Sequence, residues 1–109
     1  MAFNELLAQR LRNIFAERSD TIEKKMFGGI AFMLSGNMCC GVVDNTLMAR
    51  VGPEQYEGAL GSPHAKEMDF TGKPMKGFIY VAPSGIESDK DLRAWIKLCI
   101  TFASSLPPK

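Results

Sequence analysis

The feature that most constrains this chain is the stretch from residue 21 to residue 51. There, short runs of strand-forming residues are broken at close intervals by turn residues. Ile22 to Met26 reads as a short strand, and Ile30 to Leu34 is apolar and rich in strand formers. Gly28-Gly29 lies between them and is expected to interrupt the strand as a bulge or bend. Ser35-Gly36-Asn37 is a turn signal, Met38 to Val43 a second strand, Asp44-Asn45 a second turn, and Thr46 to Val51 a third strand. Strands joined by such short turns make an antiparallel meander. The apolar content on both faces of Ile30 to Val43 implies that neither face is fully wetted.

The flanks have a different period. Phe3, Leu7, Leu11, Ile14 and Phe15 recur at spacings of three and four, with Leu6 beside them, up to a break at Ser19-Asp20. That gives an amphipathic helix with one apolar stripe, to be laid on a sheet. Gly52-Pro53-Glu54-Gln55 starts a short helix ending near Leu60-Gly61, because proline suits the first helical position and Glu54 complements the positive end of the dipole. Ser62 to Lys76 reads as loop, Gly77 to Ala82 as a fourth strand, and Pro83-Ser84-Gly85 as its end. Ser88-Asp89-Lys90-Asp91 is a variant capping box for a last helix. Its stripe is Leu92, Trp95, Ile96, Cys99, Ile100 and Phe102-Ala103, and Pro107-Pro108 stops it. The expectation is an α+β fold of two layers, an antiparallel sheet of four to five strands packed by N- and C-terminal helices, in one domain over residues 1–109.

Composition narrows the chemistry. The formal net charge is +1, short of the basic excess of a dedicated nucleic-acid binder. No run approaches the roughly 18 apolar residues that span a bilayer, and no signal segment is read at the start, so no membrane partner is expected. Cys39, Cys40 and Cys99 are odd in number and two are adjacent, which is not a disulfide framework. A reducing, cytoplasmic setting is the expectation.

In the strand Met38 to Val43, neighbours Cys39 and Cys40 should point to opposite faces, one thiol buried and the other toward a helix or solvent. Three cysteines and His64, with no CxxC, fall short of a structural zinc set, so no metal and no cofactor is expected. The seven methionines, Met1, Met26, Met33, Met38, Met48, Met68 and Met75, suit a packed core, or a forgiving binding surface where they are exposed. His64, with Asp69 nearby in sequence, lacks a nucleophile motif, and Gly28-Gly29 precedes a strand rather than the helix a phosphate cradle needs. Lys24, Lys25, Arg50, Lys73 and Lys76 are the candidate charged surface, with Phe70 and Phe78 near them for stacking; Glu23, Glu67 and Asp69 offset much of its field.

Four stretches together resemble the TfoX/Sxy N-terminal domain family: KKMFGGIAFMLSGNMCCGVV (24–43), LMARVGPEQYE (47–57), HAKEMDFTGKPMKGFIYV (64–81) and AWIKLCITFASSLPPK (94–109). The resemblance implies a two-layer fold similar to secretion-chaperone-like domains, which pair through sheets or helices. Larger members are bacterial competence regulators that act with the cyclic-AMP receptor protein at promoters and carry a second, C-terminal domain. Here the resemblance implies a stand-alone N-terminal domain. The function expected from it is a small non-catalytic regulatory or protein-interaction domain, with protein partners or a second copy as a homodimer. Nucleic acid is then contacted only weakly or indirectly. The alternative is a nucleic-acid or anion-binding module built on the lysine group.

Overall fold

The computed structural model describes residues 4–16, 18–26, 29–68 and 77–108. The order of elements is α1 (Glu5–Phe15), β1 (Thr21–Met26), β2 (Gly29–Leu34), β3 (Asn37–Val43), β4 (Thr46–Arg50), α2 (Pro53–Leu60), β5 (Ala65–Glu67), β6 (Phe78–Val81) and α3 (Asp89–Ser104), with a single 3₁₀ turn at Pro83–Gly85. The strands form one six-stranded sheet in the order β1-β2-β3-β4-β6-β5, with every neighbouring pair antiparallel. This is the expected α+β class, with more strands than expected.

Two differences account for the extra strands. Gly28-Gly29 does not bulge a single strand. Met26 pairs with Gly29, so the chain reverses between them and β1 and β2 form a hairpin. Gly28 itself lies outside the described residues. The second addition is β5, inside the segment read as loop. It is held on one side by β6, which enters the sheet between β4 and β5.

The helices form where the sequence places them. Asn4 caps α1, its side-chain oxygen accepting from the N–H of Leu6 and Leu7 at 2.9 and 3.1 Å. Ser88 caps α3 by accepting from the N–H of Asp91 at 3.1 Å. Leu7, Ala8, Leu11 and Phe15 of α1 and Leu92, Ile96, Cys99 and Ala103 of α3 are buried. They meet Ile30, Phe32, Leu34, Val42, Leu47, Ala49, Ile79 and Val81 from one face of the sheet. The opposite face has its own smaller cluster, where Met38, Met48, Met68 and Ala31 are buried and Met33, Val43, Phe78 and Tyr80 pack against them. These methionines fill interior space; Met1 and Met75 lie outside the described residues.

Gly41 lets the sheet close up on this second face. It stands opposite Ala31 on β2 and Met48 on β4. A Cβ there would fall 2.5 Å from the Ile30 carbonyl oxygen and 2.6 Å from Met48 Cε. The methionine tip can move, but the neighbouring strand's backbone cannot move without disturbing the ladder. Gly41→Ala is expected to cost about 1–3 kcal/mol by overpacking. Gly58→Ala, in exposed α2 with nothing within 4 Å of the new methyl, is expected to stabilise by about 0.5–1 kcal/mol. Urea unfolding of the two variants checks the pair of opposite signs.

Candidate interaction surface

Lys24 and Lys25 lie on β1, which among the described residues is an end strand of the sheet and pairs only with β2. Ile22, Glu23, Lys24 and Lys25 are all exposed, Ile22 at 55%. Register fixes their faces. Glu23 and Lys25 stand opposite Phe32 and Ile30 and so share the helix-covered face. Ile22 and Lys24 stand opposite Met33 and Ala31 and share the methionine face. The two adjacent lysines therefore project to opposite sides of the sheet.

The strand is tied to the layer beneath it by charge. Arg12 on α1 donates to both carboxylate oxygens of Glu23, Nε to Oε1 at 2.7 Å and Nη2 to Oε2 at 3.1 Å. That two-pronged bond strengthens the hold of the Arg12 guanidinium on its proton and fixes the orientation of the carboxylate. Just before β1, Arg18 grips Asp20 in the same way, with both contacts at 3.1 Å, and this bond keeps the Asp20 carboxyl ionised below the ordinary range. A shallow groove of about 400 Å³ between α1 and β1 is lined by Glu5, Arg12, Glu23, Lys24, Lys25 and Ile30. It carries both signs of charge.

Arg50 belongs elsewhere. It ends β4, and two strands separate it from β1. Its guanidinium carbon lies 5.3 Å from the Phe78 ring centroid and 5.2 Å from that of Phe102, and Nη1 donates to the Met38 carbonyl at 3.3 Å. Burial pulls its pKa down. Arg50 is thus a stacked, half-buried cation that fastens β4 to α3. Lys73, Lys76, Phe70 and Asp69 lie outside the described residues. Phe78 packs in the methionine-face cluster.

The cysteines depart from the alternation expected of a regular strand. Both Cys39 and Cys40 are fully buried and both join the helix-side core, as does Cys99. The cause is a register shift. Phe32 pairs with Cys40 but the next residue, Met33, pairs with Met38, so β3 carries one unmatched residue, Cys39. A bulge of this kind breaks the two-residue alternation. Burial pushes the Cys40 thiol well up, with the hydrogen bond its S–H donates to neighbouring Cys39 adding to it, and burial pushes Cys99 up likewise. Protonated, buried thiols are poor nucleophiles and poor metal ligands. Among the described residues no group of three His, Cys, Asp or Glu is arranged to hold a metal ion. His64 is exposed and its Nδ1 lies 2.9 Å from Ser84 Oγ, a partner that sequence spacing alone did not suggest. Among the described residues no helix is long and apolar enough to cross a membrane.

An open antiparallel six-stranded sheet carrying helices makes this a protein of the α+β class. The model of the TfoX N-terminal domain family matches residues 13–103 of the 109, and the chain belongs to that family. Comparison with curated proteins and with solved structures gives no significant match.

Proposed function

We propose that this TfoX N-terminal domain is a non-catalytic regulatory module that works by binding protein. The observation that carries the reading is the placement of β1. A whole strand edge with exposed Ile22, Glu23, Lys24 and Lys25 faces outward, while the thiols are sunk in the core and Arg50 is spent on Phe78 and Phe102. An open strand edge is a surface that other chains recognise by adding a strand. The family supports a regulatory setting, since its larger members are expected to act at promoters through protein contacts.

The test separates this from the lysine-group alternative. The full chain is immobilised and exposed to extract of its native cell with and without nuclease, at increasing salt. Retention of a defined protein in stoichiometric amount, unchanged by nuclease, is the expected result. Retention of nucleic acid alone, falling steeply with salt as phosphate contacts demand, overturns it.

A further inference from the structure

From the exposed edge and its charge pattern we infer that β1 is a self-recognition strand, pairing antiparallel with β1 of a second copy about a two-fold axis to make one continuous sheet. This deepens the reading of the domain as an interaction module and rests on it. An edge strand presents unpaired N–H and C=O groups at alternate residues, and β1 has no partner on its outer side among the described residues. Lysines on an edge ordinarily repel an incoming strand. Here, however, Glu23 and Lys25 are two residues apart on the same sheet face, which makes the strand complementary to its own reverse.

Geometry leaves few registers. A two-fold axis that sets two strands antiparallel in one sheet runs perpendicular to that sheet and preserves its faces, so only same-face residues can stand opposite one another. Centred on Lys24, the pairing places Glu23 opposite Lys25 of the second copy and Lys25 opposite its Glu23, giving two ion pairs on the helix-covered face. Centred on Glu23, it sets Glu23 against its own counterpart and Lys25 against Thr21, with no complementary pair. Of these two, only the Lys24-centred register carries ion pairs between residues of the strand itself, and it is the one inferred. Arg12 already holds the Glu23 carboxylate in place through one lone pair on each oxygen, which leaves the remaining lone pairs to accept from the incoming lysine. Lys24 meets its counterpart at the axis on the methionine face. That like-charge contact opposes pairing and keeps the dimer weak and reversible.

Sedimentation of the full chain over a range of concentrations tests this. An edge-strand interface is small, so a dimer with a dissociation constant of about 1–100 μM is expected. Glu23→Lys and Lys25→Glu each turn two attractive pairs into two repulsive ones and should weaken association about tenfold or more. The double variant E23K/K25E restores opposite signs and should recover most of it. Lys24→Thr removes the repulsion at the axis and should tighten the dimer several-fold. Lys25→Glu leaves the Arg12–Glu23 bond untouched, so its circular dichroism spectrum and melting temperature should stay near those of the parent. A chain that stays monomeric throughout, or a dimer indifferent to both single swaps, or one the double swap fails to restore, overturns the inference. A monomer that still retains a protein from extract overturns self-pairing alone. Retention of nucleic acid alone overturns the reading beneath it.

Discussion

Phe32→Ala is expected to lower stability by about 3–5 kcal/mol, the usual cost of truncating a buried phenylalanine. Phe32 is 2% exposed, at the centre of β2. Its ring stacks on Phe15 of α1 with centroids 5.3 Å apart and planes inclined by 20°. Removing the ring takes away apolar contact with the helix layer and leaves a void that the flanking strands can close only in part. β2 itself is held in register on both sides, by β1 and by β3. For a chain of this length each kcal/mol moves the midpoint by about 4 °C, so thermal unfolding should begin roughly 10–20 °C lower. Phe15→Ala should be nearly as costly. The double variant should cost less than the two together, by about 0.5–1.5 kcal/mol, because the stacked pair is lost only once. A loss under about 1 kcal/mol for Phe32→Ala would mean that this ring does not join the helix layer to the sheet.

That contact also shows which parts of the architecture the sequence makes legible. Both Phe15 and Phe32 sit on strong periodic patterns, the three-and-four spacing of α1 and the apolar run of β2. Local pattern therefore predicts that each is buried. The Ser88 cap belongs to the same class, because capping is decided within four residues. Features that depend on pairing across the sheet are another matter. Ala65-Lys66-Glu67 has no β-branched or aromatic residue and becomes a strand only because β6 lies beside it. The glycines before β2 suit either a bulge or a reversal, and only the partner of Met26 decides. The site divides in the same way. Local pattern puts Lys24 and Lys25 on a strand, but that this strand ends the sheet follows from the order β1-β2-β3-β4-β6-β5, which no local signal carries. Arg50 reads locally as a surface cation because the two rings that stack on it, Phe78 and Phe102, lie 28 and 52 residues further along the chain.

The thiols give the sharpest dependence on solution conditions. Cys40 and Cys99 are fully buried among apolar side chains, and burial holds both as neutral thiols above the ordinary cysteine range. In the unfolded chain the same groups lose their protons near pH 8.5. Above that point the unfolded state binds fewer protons than the folded state, so stability falls as pH rises; below it both states are protonated and the thiols contribute no pH dependence. The slope is about 1.4 kcal/mol per pH unit for each thiol, so two of them acting together give about 3 kcal/mol per unit until the folded-state values are reached. Urea unfolding in the presence of a reductant, from pH 7 to 9.5, reads this below the range where most lysines titrate. Cys99→Ala should lower the baseline through its cavity yet roughly halve the alkaline slope, whereas a purely packing role would leave that slope unchanged. Cys40 owes its place in that core to its register opposite Phe32, and Cys99 to the buried stripe of α3. A stability profile flat from pH 7.5 to 9.5 would mean that burial holds neither Cys40 nor Cys99 as a neutral thiol, and a slope half as steep would mean that it holds only one.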